Sequence, residues 1–570
     1  MRRNRFGWTQ LVGAGLALAL IASACGSSGS SGNKNNNKGP ATTVGLSTGE
    51  TGGTPVPGGS LTYGLEADTT GGWCLYLAQL AIGGIEVART IYDTLTVPGA
   101  DGKIHPFLAE SVTPDATYKK WTIKLRPNIK FTDGSALTAT VVKDNLDKYR
   151  LQNPLFTFVF KDVKSVDLVP GDDLSLTVTT TVPWVAFPWF LWSSYRLGIM
   201  AEAQMNSKQC NTKLIGTGPF MKQSWTPNES FVAVKNPNYW YHDPTTGAQL
   251  PYLDKITFVP QEDGPKRLAA LEAGDFQAIQ TDDAPSIVKI RDDVKNGSLA
   301  TTESGEYPEL SYVMLNNTKP PFDHLSARQA VAYAIDRDQY NQVINHGILQ
   351  NASGPFGPGV VGYVADTGLP TIDPAKAKAA AAQYKSETGQ DLSFTLYHTA
   401  DTTTTKAAQV IQQMLRNNAG IKISLNPVSD QSTYINDAIA KQEQAILWRN
   451  HPGADPDTQY VWFHCGNTPP AACDNIVNFA GFNDPVINKD FDQARSEPDE
   501  AKRAALYEDI NRQFAKNLYD LWGQWVLWTV PHKPTVHGIL GPNNPDKSGP
   551  YPGLAVGNSV TGIWCSGGKC

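Results

Sequence analysis

Two periodicities alternate along most of the chain. In 120-KWTIKLRPNIKFTDG-134, Trp121, Ile123 and Leu125 alternate with polar residues, Pro127-Asn128 interrupts, and Ile129 and Phe131 resume before Asp133-Gly134. Period two around turn residues predicts a β-hairpin with one buried face. Val166 and Leu168, then Pro170-Gly171, then Leu174, Leu176 and Val178 predict a second hairpin. Later the period lengthens: Ala327, Ala330, Val331, Ala334 and Ile335 fall at helical spacing and form one apolar stripe. Asp373-Pro374 reads as a helix N-cap followed by proline in the first turn, with Gly389 as the stop. Leu506, Ile510 and Phe514 make a third stripe, and Asp254 to Val259 and Leu392 to Tyr397 read as short strands. The body is therefore mixed α/β. No unit of 20 to 50 residues recurs, which removes solenoids and propellers.

At 570 residues the chain exceeds one ordinary hydrophobic core, so two or three domains are expected. A net charge of −6 without basic clusters excludes nucleic acid as a main partner, because phosphate neutralisation needs clustered cations. The N-terminus differs in character from the body. Arg2, Arg3 and Arg5 precede an apolar run of 14 residues, Leu11 to Ala24. A membrane span needs roughly 20 residues, so the run reads as a cleaved export signal over residues 1–24. The stretch Ile21-Ala22-Ser23-Ala24-Cys25 resembles a bacterial lipobox, in which Cys25 receives lipid. It departs from the usual pattern in having Ala22 where leucine is preferred; the alternative is cleavage after Ala24 without lipid. Residues 25–57 then read as a flexible Gly/Ser/Asn/Thr/Pro tether, placing the body roughly 30 Å from its anchor.

Six further cysteines suit an oxidising compartment. Local pairing gives Cys465-Cys473 and Cys565-Cys570, leaving Cys74-Cys210. Chain entropy assigns roughly 2.5 kcal/mol to the first ring and about twice that to the last. A zinc site would need short C-x-x-C spacing, which is absent.

The densest chemistry lies in 447-LWRNHPGADPDTQYVWFHC-465, with Arg449, His451, Asp455, Asp457 and His464 around a Pro/Gly bend and Trp448 and Trp462 at its shoulders. It could be an active site, a metal site or the mouth of a binding pocket. The chain has no G-x-S-x-G elbow, H-E-x-x-H, Walker loop or G-x-G-x-x-G, and none of its nine histidines lies four residues from another. A binding role without a metal or cofactor is therefore favoured over catalysis.

Four stretches in order carry a resemblance: Ala109 to Ala139, 216-GTGPFMKQSWTPNESFVAVKNPNYW-240, 251-PYLDKITF-258 with 267-RLAALEAGDF-276, and 312-YVMLNNTKPPFDHLSARQAVAYAIDRD-338. Together they are similar to the extracellular solute-binding proteins of family 5, the oligopeptide/dipeptide-binding class that feeds ABC importers. The resemblance covers about Gly58 to His537. It implies an α/β, two-lobed periplasmic-binding-protein-like fold of type II with an extra β-rich domain and a two-segment hinge. On this pattern domain I comprises 58–92, 195–307 and 520–570, domain II 93–194, and domain III 308–519. It also implies a monomer at the outer face of the cell membrane, or in the periplasm where there is an outer membrane. Its partners would be permease and ATPase subunits, and its ligand a peptide or polar solute held between domains I and III. A ligand sensor docking to a membrane receptor is an alternative on the same fold.

In dipeptide-binding relatives, the loop matching 447–465 carries a Trp, an Asp three positions later that holds the ligand's amino group, a D-P-D and a disulfide. Here Trp448, Asp455-Pro456-Asp457 and Cys465 with Cys473 keep that pattern, but His451 replaces the acid, after Arg449 and Asn450. Losing a charge-assisted hydrogen bond costs on the order of 1.5 to 3 kcal/mol. The ligand is therefore expected to differ from a simple zwitterionic dipeptide: N-blocked, longer or modified, or a polar solute such as a sugar or glycoside. Asp455 and Asp457 can also be read as caps that shape the loop. Trp448, Arg449, Asn450, His451 and Asp455 are the candidate ligand residues of this loop. Trp73, Glu66 and Asp68 are candidates elsewhere. Trp184, Trp189 and Trp192 are further aromatic candidates, each with a packing role as the alternative.

Overall fold

The computed structural model describes residues 46–570 except 50, 70, 79, 154–155, 451–452, 467–468 and 470. The export signal, Cys25, the first part of the tether and His451 lie outside the described residues. Among the described residues no helix is long and apolar enough to cross a membrane.

A twelve-stranded mixed sheet runs through the body. Its centre is a pair of long antiparallel strands, Ala300–Leu315 and Asp520–His532. Their register slips between Ser304 and Glu309 and again between Leu310 and Tyr312. On one side of this irregularity the sheet continues through Ala278–Ile279, Ser60–Leu65, Lys255–Pro260, Ser230–Lys235 and Phe220–Thr226. On the other it continues through Ala445–Asn450, Ser393–Thr399 and Lys422–Val428. Each crossing strand thus pairs into both halves, Ala300 opposite His532 in one and Met314 opposite Asp520 in the other. A bulged antiparallel pair bends and twists locally, which suits a junction between two lobes.

Helices cover the half-sheets for the reasons their sequences give. Leu325–Ala334 buries Ala327, Ala330, Val331 and Ala334. Pro374–Thr388 begins where Asp373 accepts hydrogen bonds from the backbone N–H of Ala375 (3.1 Å) and Lys376 (3.0 Å), and ends at Gly389 with φ of 75°. That positive φ suits glycine, which has no side chain to clash. Ile510 and Phe514 are fully buried on Glu500–Asn517.

A separate four-stranded antiparallel sheet, in the order Ala109–Pro114, Lys120–Leu125, Asp172–Thr180, Val163–Val169, falls within 93–194. The hairpin of Val163–Val169 with Asp172–Thr180 forms as its sequence predicts. The hairpin predicted over 120–134 does not. Lys120–Leu125 already has neighbours on both edges, Ala109–Pro114 and Asp172–Thr180. Ile129 and Phe131 therefore bury their side chains from a loop that, among the described residues, makes one isolated bridge, Lys130 with Ala136.

Three more expectations meet the structure here. Cys74–Cys210 and Cys565–Cys570 are joined as disulfides. Cys465 and Cys473 are not joined. Their side chains are in contact as two thiols, and this hydrogen bond, followed by burial, pushes the Cys473 thiol pKa up. Part of the stretch read as tether is also not free, because Leu46–Thr48 pairs with Thr301–Glu303 of the first crossing strand. The last segment packs against the body through buried Ile539, Val556, Val560 and Ile563, with Asn558 accepting a hydrogen bond from the Tyr63 hydroxyl at 2.7 Å.

Candidate functional site

A cavity of about 390 Å³ opens between the two halves of the sheet. This is within the range of small-molecule sites, roughly 300 to 1,000 Å³, which favour domain junctions. Its floor follows from strand polarity. Ser60–Leu65 and Ala278–Ile279 are parallel neighbours, Tyr63 opposite Ala278 and Gly64 opposite Ile279. The chain therefore leaves both strands at the same edge, delivering Glu66 and Asp282 to one place, as the carboxyl ends of parallel strands commonly deliver ligand-facing groups. The strands sit close: a side chain on Gly64 would meet Phe276 at 2.7 Å and Ile279 at 2.9 Å. Glu309 comes from the slipped segment of the first crossing strand.

From the opposite half, Ala445–Asn450 brings Trp448, Arg449 and Asn450 to the cavity wall. Trp448 stacks on Tyr434 with centroids 5.7 Å apart and planes at 16°, and meets Phe479 edge-on at 5.4 Å. Trp462 packs on the same Phe479 at 5.7 Å. These rings give the cavity an aromatic side with stiff, large faces. Asn450 donates to the Gln459 side chain, which orients it.

Arg449 crosses the cavity. It donates to Glu66 at 3.0 Å, pairs with Asp282, and lies 3.6 Å from Glu309. Burial works against its charge, yet Asp282, Glu66 and Glu309 hold it protonated above the ordinary arginine value. The acids respond to the same setting. Burial raises the Glu66 pKa, with Arg449 pulling it back and Asp282 and Glu309 adding to the rise. Burial lifts Glu309 to about 7, again against Arg449. Two more contacts bridge the halves: Thr402 donates to Asp263 at 2.8 Å and Thr403 to Asp283 at 2.6 Å. All four residues line the cavity.

Of the candidate residues, Trp448, Arg449, Asn450 and Glu66 line this cavity. Asp68, Trp73 and Asp455 do not. Asp68 fastens a loop, accepting from the Trp225 indole N–H and the Asn228 backbone, both at 2.9 Å. Trp73 is fully buried, edge-on to Trp225 at 5.6 Å and Phe231 at 5.2 Å. Asp455 takes both ends of the Arg503 guanidinium at 2.8 and 2.5 Å and caps the turn at the Asp457 backbone N–H. Asp457 is buried beneath it, accepting from Trp184 Nε1 at 2.7 Å and Arg495 Nε at 3.1 Å. The loop-shaping role of the D-P-D therefore holds, and Trp184 serves it. Trp189 and Trp192 pack on each other in the core.

Sequence reasoning did not single out Asp282, Glu309 or Tyr434. Glu309 carried a signal: it is a charged residue amid a run that is otherwise strand-like and largely buried. Asp282 stands one residue before Asp283-Ala284-Pro285, a capping signature that marks a strand-to-helix turn.

The comparisons with known proteins agree with this geometry. The family model for bacterial extracellular solute-binding proteins, family 5 Middle, matches residues 103–470. The chain belongs to that family. The glutathione-binding protein GsiB of Pectobacterium atrosepticum is 29% identical over 442 residues, covering 74% of this chain and 80% of that protein. The nickel-binding periplasmic protein of Escherichia coli is 25% identical, covering 79% and 86%. Among solved structures, AgaA of Agrobacterium tumefaciens bound to agropinic acid superposes with a TM-score of 0.75 at 25% identity, covering 89% of this chain and 99% of that one. DppA of Helicobacter pylori bound to the peptide STSA gives 0.77 at 20%, covering 90% and 98%. The two-lobed, mixed α/β architecture with a ligand-sized gap is thus a family 5 fold, and the relatives are named as binding proteins. As a family 5 protein, the chain is a solute-binding protein of the kind that serves ABC importers.

Proposed function

We propose that the protein captures a small peptide-like or amino-acid-derived solute at the outer face of the membrane and delivers it to an ABC permease with cytoplasmic ATPases. The supporting observation is the cavity between the half-sheets, whose walls come from both halves and combine an aromatic side with charged groups. A guest touching both halves stabilises the closed arrangement, and a permease can read that population shift. The irregular register of the two crossing strands is the natural pivot. The division into domain I (58–92, 195–307, 520–570), domain II (93–194) and domain III (308–519) belongs to this reading, with the second crossing moved inside Asp520–His532. So do lipid attachment at Cys25, a monomeric state, and oxidation of the Cys465 and Cys473 thiols to a disulfide.

The ligand is proposed to lack the free ammonium of a simple dipeptide at the position beside Trp448. Relatives bind glutathione, agropinic acid and a tetrapeptide, solutes of related size and polarity. A sugar or glycoside is the second reading, favoured by the stacked Tyr434 and Trp448 faces. Native mass spectrometry of the protein as purified tests the proposal: a single small solute bound one to one and released chemically unchanged is expected. Turnover of that solute by the protein would contradict it. A thermal-shift panel supports the measurement, since a ligand at a hundred times its dissociation constant adds about 2.7 kcal/mol of stability.

A further inference from the structure

We propose that Arg449 is a built-in occupant of a cation subsite, so that its own guanidinium holds the two halves together and keeps ligand ammonium groups out. The inference deepens the solute-binding reading of the same cavity.

Arg449 and its two paired acids come from opposite sides of the crossing strands. Arg449 belongs to Ala445–Asn450, on one side of the crossing strands, while Glu66 and Asp282 follow Ser60–Leu65 and Ala278–Ile279, on the other. Its guanidinium reaches both acids and approaches Glu309 in the slipped segment between them. A planar guanidinium with several donors can serve two carboxylates at once, which a lysine cannot do as well. The side chain nevertheless remains 35% exposed and lines the cavity, within reach of a bound solute. An ammonium or guanidinium on a solute would be drawn to the same carboxylates and would have to displace it. A solute neutral or anionic at that end meets the pair intact. Arg449 thus selects by occupying the place, a specificity achieved by blocking the wrong guest. The Thr402 to Asp263 and Thr403 to Asp283 hydrogen bonds extend the same closure along the gap.

The test is chemical rescue in the full chain, freed of bound solute by dialysis against dilute denaturant. Arg449→Ala is titrated with methylguanidinium and methylammonium chloride while Tm is followed against sodium chloride of equal ionic strength. A saturable rise on the order of 2 °C in the variant, absent in wild type, is expected. The rise should disappear when Glu66→Gln and Asp282→Asn are added. No saturable rise in Arg449→Ala, an equal rise in wild type, or a rise that survives loss of both acids overturns the proposal. If Arg449→Ala does not fold, the Glu66→Gln/Asp282→Asn variant carries the test by small-angle scattering. A larger radius of gyration than ligand-free wild type is expected, and an unchanged one overturns the proposal. None of these readouts uses the natural solute, so they stand or fall separately from native mass spectrometry.

Discussion

Two groups of charged residues, six positions apart along one loop, do opposite things. Under the loop, Asp455 and Asp457 are matched almost one to one by Arg503 and Arg495, with Trp184 taking the remaining oxygen of Asp457. Arg495 also reaches Asp162 at 3.1 Å and lies 3.5 Å over the Tyr460 ring. Every partner is buried or nearly so, and the contacts tie the loop to the β-rich region within 93–194. In the cavity, partly exposed Arg449 pairs with Glu66 and Asp282 from the other half of the sheet and approaches Glu309 on the crossing strand. The first group is closed; the second opens on a gap, where Arg267 and Arg196 also act on its acids. Exposure, more than residue type, separates charges that hold a fold from charges available to a ligand.

The comparison is broken most forcefully at Arg495. Arg495→Met leaves Asp457 buried without its cation, and a loss of about 3 to 5 kcal/mol in denaturant unfolding is expected; Arg449→Met should cost less, because Glu66 and Asp282, the two acids it pairs with, keep part of their side chains exposed. An equal cost for the two would erase the distinction.

The next effect is in pH. Glu309 is raised by burial from its ordinary 4.5 to about 7, so the folded chain holds this proton more tightly than the unfolded one. Its contribution to stability is therefore present below about pH 4.5 and declines as pH rises to about 7. Glu309→Gln should flatten the Tm profile across that window relative to wild type. Burial raises the Asp457 pKa too, with Arg495 the first force opposing it.

Trp184→Phe sharpens the first group by removing one donor to a buried carboxylate while keeping most of the ring. A loss of about 1.5 to 3 kcal/mol is expected, with solute affinity unchanged. The smallest effect is that of Asp68→Ala, which frees the Trp225 indole and should cost about 1 kcal/mol of stability without altering solute affinity.

Much of the fold was legible in the residues. The helix over Leu325–Ala334 and the cap at Asp373 are local, set by spacing and by side-chain to backbone hydrogen bonds within one turn. The error at 120–134 has the converse cause: alternation shows that Lys120–Leu125 is a strand but not which segments, 109–114 and 172–180, will take its edges. The site was legible only in part. Trp448, Arg449 and Glu66 stood out by type and position, whereas Asp282 and Glu309 become neighbours only through strand pairing across long sequence separations. Asp68 and Trp73 look as suitable as Glu66 and Trp448 in sequence, and only burial and partners tell them apart.

The most direct measurement is calorimetric titration of the released solute into wild type and Trp448→Ala. One-to-one binding, an affinity reduced about tenfold or more in the variant, and recovery of the solute chemically unchanged are the predicted results. Undiminished affinity in Trp448→Ala, or recovery of an altered solute, would contradict enclosure between the two halves as the protein's work.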